Sequence, residues 1–231
     1  MIRCEPIQRH ALSLSPASWD FAQAERKAID AHWQRLVAAN ARLWNGEVLI
    51  CTAAEVENGV LAARFTTTDF ASFIAWRDWG WPDREARNCF GVPAVVSRDG
   101  ELLMGVMAQS TLNAGRAYPP GGSLEPKDVR PDGSIDLHGS MAEEVGEETG
   151  LDLADARAGE YLAIFDGQRL AIVRRFGVDH SLADLRQAFA AHRTRQAEPE
   201  LDAIFGVRSR SQIDSRMPGY AQEIVRQYYS E

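Results

Sequence analysis

The chain has little cysteine, no long apolar run and no excess of positive charge. Only Cys4, Cys51 and Cys89 occur among 231 residues. They form neither a Cys-x-x-Cys pair nor a Cys/His ligand spacing, so the sequence indicates neither a zinc site nor a disulfide framework. The start of the chain has no apolar leader, and no stretch approaches eighteen apolar residues. We therefore expect a cytoplasmic protein without a membrane partner.

The negative net charge disfavours a nucleic-acid duplex as a partner. The formal net charge is −8, and a protein that binds a nucleic-acid duplex would be expected to carry a basic stripe. A small phosphate compound stays open as a substrate, because a bound metal ion can supply the positive charge. Hydrophobic residues make up 45% and charged residues 25%, which is ordinary for a globular chain.

Apolar periodicity and turn signals predict an α+β protein with a boundary near residue 90. Residues 1–90 are expected to form an N-terminal extension containing a helix from about 19 to 41, a hairpin around Asn58-Gly59 and a second helix. Residues 91–231 are expected to form the main domain. Its predicted elements are a hairpin at Asp99-Gly100, strands at 160–165, 169–176 and 201–207, and helices at 182–195 and 218–229.

A short acidic helix between Ser140 and Leu151 is the most informative stretch. Ser140 suits the N-cap, and Glu143 three residues later completes a capping-box pattern. Gly150 suits the left-handed residue that closes a helix. These signals predict a helix that begins at Ser140 and ends before Gly150.

Three carboxylates share one face of this helix. Glu144, Glu147 and Glu148 have the i, i+3, i+4 spacing that brings side chains together, where like charges destabilise the helix. A hard divalent cation would relieve that repulsion, because such cations take oxygen ligands. Taken alone, an acidic face is more often simply solvated.

The residues that precede the helix favour a functional acidic face over a merely solvated one. The loop and helix together resemble the Nudix box, G-x5-E-x7-R-E-U-x-E-E-x-G-U, where U is a bulky aliphatic residue. The matching residues are Gly122, Glu144, Val145, Glu147, Glu148, Gly150 and Leu151, with Asp128 at the position of the first Glu. There are two departures from the motif. Fourteen residues separate Asp128 from Glu143 where the motif has seven, and Glu143 replaces the Arg.

Both departures have a physical interpretation. Extra residues around the Pro131-Asp-Gly133 turn can bulge outward, since doubling a loop costs only about 0.6 kcal/mol. In the family the Arg anchors the loop to the helix through an acidic partner. That pair cannot form between Asp128 and Glu143, so we expect another tether, with Lys127 or Arg130 as candidates.

The resemblance implies a metal-dependent hydrolase. Mg²⁺ or Mn²⁺ would be bound by Glu144, Glu147 and Glu148, with Glu147 and Glu148 also counted as catalytic. A general base must take a proton from water. It is either one of the helix carboxylates or a residue of the loop before the last strand, where Glu200 is preferred to Glu198.

The glycine loop is expected to meet the substrate. Gly121 and Gly122 have no Cβ, so their backbone can approach phosphates and metal closely. Arg116 and Tyr118 lead into this loop and are expected to contact phosphate or base, although an arginine at a strand end is as often only solvated.

The resemblance also sets expectations for substrate and architecture. It implies an α/β/α sandwich around a mixed sheet and cleavage of the pyrophosphate in a nucleoside diphosphate derivative, preferably a nucleotide sugar. A dinucleotide, CoA or an oxidised nucleotide is an alternative substrate, and a non-catalytic Nudix-like binding module is an alternative function. The stretch Leu43–Ile50 followed by a hairpin is loosely similar to the extension of UDP-sugar pyrophosphatases, which helps form a homodimer or the substrate site.

Overall fold

The computed structural model describes residues 2–229 and confirms the α+β class. The described chain forms ten strands and six helices. The strands are β1 (Arg3–Ile7), β2 (Arg9–Leu14), β3 (Glu47–Glu57), β4 (Val60–Asp69), β5 (Asn88–Val96), β6 (Leu102–Met107), β7 (Ala117–Tyr118), β8 (Arg157–Asp166), β9 (Arg169–Gly177) and β10 (Leu201–Val207). The helices are α1 (Asp20–Ala24), α2 (Arg26–Ala39), α3 (Phe70–Asp78), α4 (Leu137–Thr149), α5 (Leu182–Arg193) and α6 (Gly219–Tyr228).

A mixed seven-stranded sheet forms the centre of the molecule. Its order is β1-β8-β9-β5-β6-β10, with the short β7 paired to β6. Strands β5 and β9 run parallel, and the other pairs in this sheet are antiparallel. Helices α4 and α5 contribute to the apolar core on one face, and α6 contributes to the core on the other. The predicted arrangement of a mixed sheet between helices is therefore confirmed.

Strands β5 and β6 separate soon after their hairpin. The register pairs only Val96 with Leu102, and β6 then pairs with β7 through Gly105 and Tyr118. Beyond β7 the chain returns to β5, where Ser123 bridges to Phe90. The divergence of the two strands thus leads the loop 119–123 across the sheet, close to the middle of β5.

The N-terminal residues form a second, three-stranded sheet, but their first strand does not belong to it. Strands β2, β4 and β3 are neighbours in that order, with β2 parallel to β4. Strand β1 instead pairs antiparallel with β8 in the main sheet. The division at residue 90 stays a prediction. Residues 3–7, from the N-terminal side of that division, belong to the main sheet. The predicted first helix is two helices, since it is interrupted at Glu25.

The acidic helix begins earlier than the sequence pattern predicted. Helix α4 starts at Leu137, with Asp136 as the N-cap accepting a hydrogen bond from the Gly139 N–H. The prediction of a Ser140–Glu143 capping box was wrong because Asp136 takes the capping role one turn earlier. The predicted end is confirmed, since Gly150 adopts a left-handed φ of +74°. None of the helices between residues 2 and 229 combines the length and apolar character that a membrane span requires.

Two glycines allow a test of the helix end. Gly150 and Gly167 both have positive φ, but only at Gly150 would a Cβ meet a neighbour, 2.7 Å from the His192 ring. We expect Gly167→Ala to lower the free energy of unfolding by about 1 kcal/mol, the conformational cost alone. Gly150→Ala should lower it by at least about 2 kcal/mol, because the steric conflict is added. Urea unfolding measures both, and equal losses would contradict the packing of His192 against Gly150.

Candidate active site

Helix α4 presents its three acidic side chains in different environments. Glu148 is buried, with 5% of its surface exposed, Glu144 is partly buried, and Glu147 is exposed. Val145 and Met141 pack into the core on the same helix, and this packing fixes the direction in which the carboxylates point. Two of the three carboxylates on the predicted acidic face are therefore withdrawn from solvent, and only Glu147 is solvated.

The glycine loop lies directly against two of these carboxylates. The Gly121 N–H donates a hydrogen bond to Glu148 Oε2 over 3.2 Å. A Cβ at Gly122 would lie 2.0 Å from Glu144 Oε1, and one at Gly121 would lie 2.5 Å from the Gly91 carbonyl oxygen. Gly121 therefore requires glycine, because its Cβ would meet backbone and its φ is +154°, whereas a Cβ at Gly122 would displace the Glu144 carboxylate. The loop and helix predicted to act together are in contact.

Strand β10 brings Glu200 to the same place. Leu201 pairs with Met107 of β6, and the Ala108 N–H donates to the Glu200 carbonyl oxygen. The side chain of Glu200 keeps an exposed edge. Its charge acts on both Glu144 and Glu148. Glu200 thus belongs to the same cluster as the helix carboxylates. Glu198, two residues earlier, instead lies with its Oε1 4.0 Å from Arg42 Nη1.

The crowding of these acids shifts their proton affinities. Burial, followed by the charges of Glu200 and Glu147, raises the pKa of Glu144 to about 7. Burial and the charges of Glu144 and Glu200 raise the pKa of Glu148 well above its ordinary value. Partial desolvation and the nearby Glu147 raise the pKa of Glu200. A cluster of acids with raised pKa values is typical of a functional site.

The two predicted substrate residues beside the loop differ in position. Tyr118 is partly buried, its hydroxyl accepts a hydrogen bond from Asn113 Nδ2 at 3.0 Å, and its pKa is raised by burial and, to a lesser extent, by Glu148 and Glu200. It therefore borders the carboxylates. Arg116 is exposed, and its backbone carbonyl accepts from the Met107 N–H. The structure therefore places Tyr118 within the electrostatic influence of the cluster, whereas no described contact joins the Arg116 guanidinium to it.

The loop is tied to the helix by a pair of reversed polarity. Lys127 Nζ lies 3.1 Å from Glu143 Oε2, so the loop supplies the cation and the helix the anion. Asp128 is buried, hydrogen-bonds to the Ser140 side chain and accepts from the Glu125 N–H at 2.8 Å. The predicted tether through Lys127 is confirmed, and Arg130 contributes separately through Asp136 at 2.7 Å.

Two neighbours of the site were not singled out from the sequence. Glu125 helps raise the pKa of Glu144, and its place three residues after Gly122 could have indicated it. Asn113 orients the Tyr118 hydroxyl, but it lies in a loop without a periodic pattern, so no local signal indicated it.

The donor set suits a hard divalent cation. Carboxylate oxygens are the ligands that Mg²⁺ and Mn²⁺ prefer, and Glu144 and Glu148 have no ion pair within residues 2–229, where Lys127 instead pairs with Glu125 and Glu143. A buried carboxylate with no cation beside it is costly. Among the described residues, no three His, Cys, Asp or Glu side chains already stand close enough to hold an ion. The residues therefore fit a cation in type and charge, and binding would require them to draw together.

Comparison with known proteins gives structural similarities only. No family model and no curated protein matches the chain. A MutT protein from Methanosarcina mazei Go1 is 20% identical, over 62% of this chain and 92% of its own, with a TM-score of 0.41. DR0079 from Deinococcus radiodurans is 13% identical, over 62% and 84%, with a TM-score of 0.45. A bifunctional NMN adenylyltransferase/ADP ribose pyrophosphatase from Francisella tularensis is 16% identical, over 66% and 43%, with a TM-score of 0.39. These similarities are partial, and we infer the function from the geometry of the site.

The raised pKa of Glu144 predicts a pH-dependent stability of the metal-free protein. Its value shifts from 4.5 to about 7 on folding, so the folded state holds a proton over a range in which the unfolded state has lost it. The free energy of unfolding therefore falls as the pH rises from about 4.5 to about 7. In EDTA, Glu144→Gln should be more stabilising at pH 7.5 than at pH 4.5 by about 1–3 kcal/mol. A difference independent of pH in urea unfolding would contradict the crowding.

The corrected helix start gives a second prediction. Asp136→Ala removes the N-cap of α4 and should lower the free energy of unfolding by about 1 kcal/mol. Glu143→Ala removes only an exposed ion pair and should lower it by no more than about 0.5 kcal/mol. Urea unfolding of the two variants at one pH compares them directly. A larger loss for Glu143→Ala would restore Ser140 and Glu143 as the cap.

Proposed function

We propose that this protein is a divalent-metal-dependent hydrolase that cleaves the pyrophosphate of a nucleoside diphosphate joined to another group. The preferred substrate is a nucleotide sugar. One observation carries this proposal, namely that a glycine pair packs directly on two crowded carboxylates, Glu144 and Glu148. A solvated acidic surface would not need that contact, whereas a site for metal and phosphate would.

The carboxylates of α4 would hold the cation. Glu144 and Glu148 face the loop, and Glu147 stands at the exposed edge, where ions and substrate would arrive. Bound Mg²⁺ or Mn²⁺ would neutralise the phosphates and stabilise the leaving group. In return, the positive charge would lower the pKa values of the carboxylates and remove the repulsion among them.

The residues around the cation would position the reactants. Gly121 and Gly122 leave the backbone open to the diphosphate, because no Cβ blocks the approach. Glu200 is proposed as the general base, since it combines an exposed edge with a raised pKa. A base whose pKa lies nearer the working pH takes a proton from water more effectively. Tyr118 would border the bound substrate on the side of the Asn113 loop.

The N-terminal residues are proposed to complete the substrate site. The Leu49 N–H donates to the Leu124 carbonyl oxygen over 3.0 Å, so β3 lies beside the glycine loop. This contact supports the preference for a nucleotide sugar, because the extension of the similar UDP-sugar pyrophosphatases serves the substrate site or the dimer. A homodimer stays a prediction.

Glu148→Gln tests the proposal. With Mg²⁺ and a panel of UDP-glucose, ADP-ribose, a dinucleotide, CoA and an oxidised nucleotide, the unchanged protein should release a nucleoside monophosphate or a phosphorylated fragment from at least one compound. Glu148→Gln should lower kcat at least about 100-fold, a loss of about 3 kcal/mol in transition-state stabilisation.

Glu143→Gln is the matched control on the same helix, because Glu143 pairs with Lys127 at the surface. It should keep most of the activity. Activity in EDTA, or full activity of Glu148→Gln, would exclude the proposed metal site, and inactivity on the whole panel would favour a non-catalytic binding module.

A further inference from the structure

One stretch of the N-terminal residues lies between the two loops that supply the proposed site. At one end, Arg42 Nη1 is 4.0 Å from Glu198 Oε1, two residues before Glu200. At the other end, the Leu49 N–H is bonded to the carbonyl oxygen of Leu124, two residues after Gly122. We call residues 42–49 the rim segment, because it connects the Glu200 loop to the glycine loop along the edge of the site.

The rim segment carries the most exposed large apolar side chain described in the structure. Trp44 is 81% exposed, compared with 52% for Leu112 and 36% for Trp79. Leu112 lies on the loop that also holds Asn113, the partner of Tyr118. Trp44 and Leu112 therefore lie on segments that border the site, whereas Trp79 packs against Phe21 and His32. Exposed apolar surface commonly marks a binding site.

The indole of Trp44 lies against its own segment. Its ring lies on Gly46, where a Cβ would be only 2.2 Å from a ring carbon. The Gly46 carbonyl oxygen accepts from the Phe70 N–H, and Asn45 Oδ1 accepts from the Ala71 N–H at 2.7 Å. Two hydrogen bonds thus fix the backbone under the ring to the start of α3, and the outer face of the ring remains open.

We propose that Trp44 stacks on the nucleobase of the substrate. This inference rests on the proposed function, since it assigns the nucleoside half of that substrate to the rim segment. An aromatic ring recognises the flat face of any base, and such a stack is worth about 1–3 kcal/mol. The diphosphate would lie on the carboxylates and glycines, and the base would reach outward to Trp44. The rim segment therefore contributes affinity for the nucleoside but takes no part in bond cleavage.

Two kinds of probe separate base recognition from phosphate binding. The α,β-methylene analogues of ADP and UDP carry a base and a diphosphate that cannot be hydrolysed, whereas methylenediphosphonate carries the diphosphate alone. Titration calorimetry with Mg²⁺ should show that Trp44→Ala raises the Kd of at least one nucleotide analogue about tenfold. The Kd of methylenediphosphonate should stay within about twofold, and Trp44→Phe should recover part of the nucleotide affinity.

Two further variants test position and specificity. Gly46→Ala keeps the indole but displaces its ring, so it should weaken nucleotide binding in the same direction as Trp44→Ala. Trp79→Phe changes another exposed tryptophan, whose ring instead packs against Phe21 and His32, and it should leave both Kd values unchanged. In turnover, Trp44→Ala should raise KM and leave kcat nearly constant, because the nucleobase is bound less tightly while the bond-cleavage step is unaffected.

Each other outcome is decisive. Unchanged nucleotide binding by Trp44→Ala, or equal loss for both kinds of probe, would overturn the stacking role. Sedimentation velocity that shows a dimer dissociated by Trp44→Ala, with nucleotide affinity retained, would assign the ring to a second copy of the chain and also overturn it. If the unchanged protein binds neither kind of probe with Mg²⁺, the proposed function itself fails, and this inference fails with it.

Discussion

The close contact between the glycine loop and the carboxylates of α4 is the constraint on which the site depends. Glu148 is buried beside Gly121, and Glu144 fills the space that a side chain at Gly122 would need. Burial and mutual repulsion both disfavour the charged forms of these acids. The apolar packing of α4 against β5 must therefore overcome an electrostatic cost. Strain retained in a fold is often found at functional sites, and this cost is consistent with the proposed recognition of a cation.

The separation of β5 from β6 makes room for the glycine loop to reach the carboxylates of α4. If the hairpin at Asp99-Gly100 continued as a regular ladder, the chain after β7 could not return to β5. Because pairing stops at Val96 and Leu102, the loop after β7 reaches Gly91 beneath α4. The same edge receives β10, and Glu200 lies immediately before its first residue. One departure from regular pairing thus brings the loop, the helix and the last strand together.

Local signals in the sequence predicted much of this arrangement, and the predictions failed where tertiary packing decides between local alternatives. The Asp99-Gly100 turn, the helix predicted at 182–195 and strand 201–207 were recognised because each depends on neighbouring residues. The start of α4 was misplaced because Ser140 and Asp136 both suit an N-cap, and the choice depends on packing of Leu137 in the core. The pairing of β1 with β8 and the parallel pairing of β2 with β4 join distant residues, so no local pattern could predict them. Likewise, the acidic spacing indicated a shared face, but only the tertiary contacts distinguish buried Glu148 from exposed Glu147.

The ion pair between Lys127 and Glu143 bears on how the departure from the Nudix box is understood. In the family pattern the helix supplies an arginine and the loop an acid, and here the polarity is exchanged. Coulomb attraction depends on the product of the charges, so exchange preserves the attraction between loop and helix. The buried Asp128 adds a second tie through Ser140. An acid in place of the arginine therefore removes neither the tether nor any of the three carboxylates. The missing arginine therefore does not weigh against the proposed hydrolase, which depends instead on the cation and the substrate.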